Sequence, residues 1–410
     1  MATRRYTRLY LLVFFSSLLA VAGFNGFMDP QGIFRLMAIE GINKEKPLLE
    51  KEGVRKTKSL DLEQGDFTTL LLGTSRTFGG LNPEHKVFPA GRTYNAALPR
   101  TNLYETQKVF DFALQHLPLK QVVMELDFTT FSDAQTVDAD FKDSRFAGKN
   151  VKLSSLDSLL SAYQIQDSFT TLQFNLQGKQ ARYTAQGFRR KRLYGEVRDR
   201  ASVGSDIVDH HKLFTWTNQQ YLKTHSNLDF DSRDRIERLQ QMLRAAREQN
   251  IEMHLFIPPL HVHLVESLKL TNLLPDYYQW KRDLVAAVDA HNQTYSTKPP
   301  IKLWDFSSVS SVTTERVPPE NSEVQMKWYV ESSHFRPVLG DVMLSLMLDS
   351  SASVADAPED FGHVLTTQNV EAQVAQMNSD LLSYERLYPQ DIIALKALQK
   401  ELVAQKTAQR

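Results

Sequence analysis

No cysteine occurs anywhere in the 410-residue chain. That absence removes thiolate nucleophiles, disulfide frameworks and cysteine-ligated zinc together, and it fits either side of a membrane. A surplus of charge is missing too: lysine plus arginine total 48, aspartate plus glutamate total 48, and the formal net charge is +0. With no net field to hold a polyanion, nucleic acid is not expected as a partner. The chain also lacks a Walker loop, a dinucleotide glycine pattern and a His-Glu-x-x-His pair, so nucleotide and zinc-protease chemistry have no support and no cofactor is expected. Internal repeats are absent.

What is present begins at the amino terminus. Arg4, Arg5 and Arg8 precede an uncharged apolar stretch from Leu9 to Phe27, which at about 1.5 Å per residue crosses most of a bilayer core. Basic flanks stay cytoplasmic, so a single inner-membrane span should leave the rest of the chain in the periplasm or outside the cell. Ala20-Val21-Ala22, following the core from Leu9 to Leu19, also fits a signal-peptide cleavage site. Apolarity that continues through Phe24 and Phe27 favours an uncleaved anchor over residues 1–30.

Turn formers from Gly26 to Gly32 then lead into residues 31–66, whose polar, lysine-rich part from Asn43 to Asp66 reads as a stalk or linker. Beyond it, short apolar runs alternate with helical periodicity. Phe67 to Leu72, Tyr94 to Leu98, Gln121 to Leu126, Ile251 to Ile257 and Ile301 to Phe306 read as strands. Asn102 to His116, Ser232 to Glu248, Tyr277 to Asn292 and Val338 to Leu348 read as helices. This alternation predicts an α/β fold over residues 67–350, built on a doubly wound, mainly parallel sheet in three layers, flavodoxin-like in layout. Residues 133–230 form a looser helical insertion, and its basic run Arg189-Arg190-Lys191-Arg192 reads as a solvated helix face. Residues 351–410 are expected to form a helical tail that packs on the domain or on a partner protein.

Two stretches point to chemistry. Leu70-Leu71-Leu72-Gly73-Thr74-Ser75-Arg76-Thr77 is an apolar strand that delivers a serine into the loop beyond it, where ligands gather in open α/β sheets. A serine hydroxyl needs a base to take its proton. Tyr329-Val330-Glu331-Ser332-Ser333-His334-Phe335-Arg336-Pro337 offers one: Glu331 lies three residues before His334, in a loop entering a helix, and can orient the imidazole toward a nucleophile. Helix capping by Thr74, Ser75, Glu331 and the nearby serines accounts for the same residues without chemistry. Asp305 is a second candidate to orient the histidine. Arg76 and Arg336 flank the nucleophile and the base, suited either to an anionic sugar or carboxylate or to structural ion pairs. His261 and His263, beyond the Pro258-Pro259 turn, read as structural rather than as ligands, and no metal site is expected.

Taken together, a strand-exit Gly-x-Ser near the start of the domain and an acid-x-x-His near its end resemble the first and last sequence blocks of the SGNH, or GDSL-type, hydrolases. The chain looks most like their membrane-anchored, extracytoplasmic branch, which includes proteins of exopolysaccharide O-acetylation and teichoic-acid D-alanylation. The resemblance covers roughly residues 67–350 and extends to Tyr94-Asn95-Ala96-Ala97-Leu98-Pro99 and Glu125-Leu126-Asp127-Phe128. It implies Ser75 as nucleophile, His334 as base and Glu331 as its orienter, with Ala97, Asn95 and Asp127 at oxyanion or substrate positions. The sequence departs from the family pattern where Ala96 or Ala97 replaces a glycine, where Asp127 replaces an asparagine donor, and where Glu331 replaces an aspartate. Implied is a membrane-tethered acyl esterase or O-acyltransferase acting on an envelope or secreted glycan, with no cofactor. An ionised Asp127 at an oxyanion position favours the alternative, a non-catalytic envelope scaffold that binds glycan or protein partners through the insertion and the tail helices.

Overall fold

A computed structural model describes residues 2–49, 53–132, 136–189, 208–226, 228, 230–349 and 357–408. In chain order its helices and strands begin with α1 (Ala2–Met28), α2 (Val54–Gln64), β1 (Thr69–Leu72), α3 (Ser75–Gly80), β2 (Thr93–Asn95), α4 (Leu103–His116) and β3 (Gln121–Glu125). The insertion contributes α5 (Val151–Ser154), α6 (Ala162–Leu176) and α7 (His210–His225). Then follow α8 (Arg233–Glu248), β4 (Glu252–Ile257), α9 (Val262–Leu270), α10 (Leu274–Thr294) and β5 (Leu303–Asp305). The last elements are α11 (Pro337–Leu348), β6 (His363–Leu365), α12 (Val370–Leu387) and α13 (Pro389–Ala408). Two compact units result, Met1–Gly65 with Asp138–Arg190, and Asp66–Val137 with Lys191–Arg410.

In the first unit, Arg4–Met28 is long and apolar enough to cross a membrane, as an anchor or a signal sequence would be. The stretch expected to be a linker contains α2, whose Leu60 packs with Ile33 and Val151 in a small core. Buried Arg55 on the same helix pairs with Asp140 at 3.1 Å and Asp138 at 3.7 Å. Its lysine-rich composition hides this packing, because Asp138, Asp140 and Val151 lie far along the chain, beyond residue 137. Arg189 of the basic run is buried and bridges to Tyr183, whereas Arg190, Lys191 and Arg192 lie outside the described residues.

The second unit carries a mixed sheet in the order β2-β1-β3-β4-β5-β6. Strands β1 to β5 are parallel and β6 is antiparallel to β5. The chain steps outward from β1 to β2 and then crosses back to β3, so its direction reverses between β1 and β3, the place where open α/β sheets form a ligand crevice. Leu71, Val123 and Phe256 share one buried cluster with Leu339, Met343 and Leu344 of α11. The alternate residues Leu70, Leu72, Val122, Met124, Leu255 and Ile257 are buried as well and point to the opposite face, which explains strands that read as unbroken apolar runs. The strands expected from sequence all appear, trimmed at their ends. β6 is the addition, three residues long and too short to announce itself by periodicity.

The tail helices pack on this unit: Arg282 of α10 holds Glu371 of α12 at 2.7 Å, and Gln399 of α13 donates to the Leu270 carbonyl at 2.7 Å. Glu266 of α9 faces Glu385 of α12, and burial, then that second carboxylate, push its acid up from 4.5 to about 7. The unfolded chain releases this proton near 4.5 while the folded protein keeps it to about 7, so stability falls as pH rises between those values and the full penalty stands above them. Glu266→Gln is therefore expected to stabilise the protein by roughly 2–3 kcal/mol at about pH 8 and to have little effect at about pH 4. Guanidinium unfolding at both pH values checks this, and an equal gain at both would contradict it.

Candidate active site

Strand β1 ends at Leu72 and hands the chain to Gly73, Thr74 and Ser75 at the carboxyl edge of the sheet. The next strand in the sheet, β3, ends on Glu125, whose buried carboxylate accepts from the Thr74 amide at 3.2 Å, the Thr74 hydroxyl at 2.7 Å and the Thr77 amide at 3.0 Å. A methyl group at Gly73 would sit 2.6 Å from Glu125 Oε2, so only glycine lets the loop close this tightly on the carboxylate. Burial, and after it the charge of Asp127, raises the Glu125 acid above its ordinary value. Glu125 thus fixes the loop on both sides of Ser75, the first residue of α3.

Ser75 Oγ lies 2.8 Å from His334 Nε2. The other ring nitrogen, Nδ1, bonds Glu331, whose second oxygen accepts from the Ser333 amide at 2.9 Å. Burial alone would raise the Glu331 acid; the His334 charge and the bonds from His334 and Ser333 outweigh it and hold the acid below its ordinary value, so Glu331 stays ionised beside the ring. A hydroxyl, an imidazole and a buried carboxylate are therefore linked in series, the arrangement that lets a serine lose its proton as it attacks a carbonyl.

Residues 75 and 334 meet because α3 and α11 cross almost backbone to backbone. A methyl group on Gly340 would lie 1.9 Å from the Gly80 carbonyl oxygen, and one on Gly80 would lie 2.2 Å from the Phe335 ring. Gly340→Ala is expected to cost about 1–3 kcal/mol through overpacking. Gly79→Ala, with open space around it, should be neutral or stabilising by about 0.5–1 kcal/mol. Thermal unfolding of the two variants measures the contrast, and similar melting temperatures would refute the close crossing.

Arg76 ties the two loops together from below. Its guanidinium pairs with Asp127, Nε donates to the Ser333 carbonyl at 2.8 Å and Nη2 to the Tyr221 hydroxyl at 3.1 Å. Tyr221 Oη lies 2.7 Å from Ser333 Oγ. Burial works against the arginine charge, yet Asp127 leads a set of acidic neighbours that raise its pKa above the ordinary value.

Several expected roles change. Asp127 faces Arg76 with one oxygen and accepts from the Thr129 amide at 2.9 Å with the other, so its charge is neutralised by a partner and it supplies no oxyanion donor. Asn95 donates to the carbonyls of Thr77 at 2.9 Å and Leu81 at 3.0 Å, and its oxygen accepts from the Ala97 amide at 3.2 Å. Asn95 therefore braces the end of α3, and the Ala97 amide is turned onto the Asn95 side chain. Among the described residues the Ser75 amide donates to no acceptor and is left as a donor on the nucleophile's own residue. Arg336 donates through its side chain to the Met326 carbonyl, away from an anion-binding role. Asp305 pairs with Lys281 at 2.7 Å and does not orient His334. His261 Nε2 donates to the Glu315 carbonyl at 2.8 Å, and His263 lies 3.4 Å from Asp391, both in a cluster that closes under the tail helices. Glu125, Tyr221 and Ser333 are the members that motif reading did not single out. Glu125 offered a signal, a lone acid ending an apolar strand, whereas Tyr221 sits in an irregular insertion and offered none.

No family model matches the chain, and no curated protein matches it. Among solved structures it is similar to a protein of Bacteroides fragilis NCTC 9343 provisionally described as an acylhydrolase, with a TM-score of 0.34 and 10% identity over 72% of this chain and 94% of that one, a likeness too slight to argue from.

Proposed function

We propose that this chain is a membrane-tethered serine acyl esterase or O-acyltransferase of SGNH type that works on an envelope or exported polysaccharide, outside the cytoplasm. The observation that carries the reading is the 2.8 Å approach of Ser75 Oγ to His334 Nε2, with Glu331 on the opposite ring nitrogen. His334 takes the Ser75 proton as the hydroxyl oxygen adds to an ester carbonyl, and Glu331 stabilises the imidazolium that forms. The oxyanion rests on the Ser75 amide. His334 then returns the proton to the departing alkoxide, leaving an acyl-serine. Water or a sugar hydroxyl attacks that ester, gives its proton to His334, and frees Ser75 again. The glycan substrate rests on the resemblance of the site blocks to the membrane-anchored SGNH branch and on the basic-flanked α1, whose orientation exports the rest of the chain.

A fluorophosphonate probe tests the nucleophile directly. Wild-type protein should take up the label on Ser75, and Ser75→Ala should not. Equal labelling of the two would remove Ser75 from the mechanism. A second reading, a non-catalytic scaffold of the same fold, draws on one observation: the Ala97 amide bonds to Asn95, and Asn95 to α3, which leaves the oxyanion site short of donors. Absence of labelling in the wild type, with the fold intact by circular dichroism, would favour that scaffold.

A further inference from the structure

Helix α6 buries polar side chains, while its exposed side carries large apolar residues together with the uncharged polar Gln166, Thr170 and Gln173. Its buried residues are Gln164, Ser168, Thr171 and Asn175. Gln164 donates to the Gln31 side chain at 2.6 Å, Ser168 to Asn25 at 2.9 Å and Asn175 to the Glu45 carbonyl at 2.8 Å. Outward it presents Tyr163, 81% exposed, Phe169, 57%, and Leu176, 70%. The turn before it adds Leu156 and Leu160, at 50% and 52%. The only charged residue of α6, Asp167, accepts from Gln31 at 3.2 Å. A helix packed from the water side normally buries its apolar residues instead. At the boundary of headgroups and acyl chains a helix can satisfy polar groups against the protein, leave large apolar ones in the acyl chains and keep uncharged amides and hydroxyls among the headgroups.

A second, independent observation places this face. The ring of Phe169 is 5.0 Å from that of Phe24, and Asn25 donates to the Leu159 carbonyl at 2.8 Å. Counted from Leu9 at about 1.5 Å per residue, a hydrocarbon core of about 30 Å ends near Met28. Phe24 and Asn25 therefore belong to the outer part of the span, and whatever packs on them shares their depth. Asn25 is itself a polar residue at that depth, and α6 supplies the partner it needs.

We infer that α6 and the turn before it lie in the outer leaflet of the bilayer, with Tyr163, Phe169, Leu160 and Leu176 at the boundary of headgroups and acyl chains. The protein is then held by a transmembrane helix and an interfacial helix together. This rests on α1 as an uncleaved span, part of the function proposed above.

The natural absence of cysteine makes the test direct. Single variants Phe169→Cys, Tyr163→Cys, Leu19→Cys and Arg244→Cys, all at exposed positions, carry an environment-sensitive fluorophore on the full chain in phosphatidylcholine–phosphatidylglycerol vesicles with nitroxide-labelled lipids. Leu19 reports the span, and Arg244, on the charged helix α8, serves as the aqueous control. The expected result is a several-fold greater loss of emission at Phe169 and Tyr163 than at Arg244, strongest with nitroxides near the headgroup, together with strong quenching at Leu19 by deeper ones. Quenching at Leu19 without quenching at Phe169 and Tyr163 overturns the inference and leaves the span standing. Absence at all three overturns both. Blue-shifted emission at Phe169 that lipid nitroxides do not quench would mean that another protein, or a second copy, covers the face, and also overturns it.

Discussion

Ser75→Ala is expected to lower kcat toward an aryl ester by roughly 10⁴-fold or more, with KM little changed, because on the proposed mechanism the variant loses only the group that forms the covalent intermediate. His334→Ala should fall about as far. The double variant should fall no further, since a hydroxyl and an imidazole 2.8 Å apart act on one proton and their losses do not add. Glu331→Gln should lose less, about 10³- to 10⁴-fold, because its amide still fills the space beside Nδ1 while no longer stabilising the imidazolium. Steady-state kinetics on the four proteins decide the matter. Multiplicative losses in the double variant would show that Ser75 and His334 serve separate steps.

A large effect on stability is expected below the site. Asp127→Ala leaves the Arg76 guanidinium, 4% exposed, without its carboxylate, and breaking a buried pair on one side typically costs about 3–5 kcal/mol. Removing both charges is a different experiment. Arg76→Met with Asp127→Leu should recover most of that loss, because two apolar side chains bury without an uncompensated charge. Activity should not recover with it. Arg76 Nε holds the Ser333 carbonyl at 2.8 Å, one residue before His334, and methionine offers nothing to replace that bond. Urea unfolding combined with ester turnover reads both quantities on the same samples. A double variant no more stable than Asp127→Ala would mean that the pair is not the source of the cost.

The parts of the site that sequence made legible are those written locally. Ser75 follows an apolar run that can only be a buried strand, and His334 follows an acid at a spacing that suits an imidazole, just ahead of the apolar α11. The parts that stayed hidden depend on which elements become neighbours. Glu125 reads as the end of one more strand until β1 and β3 are paired, and only then do its oxygens meet Thr74 and Thr77. The oxyanion expectation failed for a related reason. A motif can name Asn95 and Ala97, but it does not fix the direction of an N–H: Asn95 points into the end of α3 and the Ala97 amide at Asn95. Helix α2 was masked by its own lysines, since its burial is decided by partners beyond residue 137. The layout of the sheet was easier, because a run such as Thr69–Leu72, buried on both faces, leaves little choice but a parallel strand between helices.

The glycine crossing of α3 and α11 also bears on how the protein comes into being. Its two halves are made at opposite ends of the α/β unit, so a nascent chain displays the hydroxyl-bearing turn long before the imidazole that it meets exists. A message cut short between β3 and Gly340 would yield a polypeptide with the first strands but no second face to close on them. Premature stop codons late in the reading frame should therefore behave as complete loss-of-function alleles, as severe as those near its start.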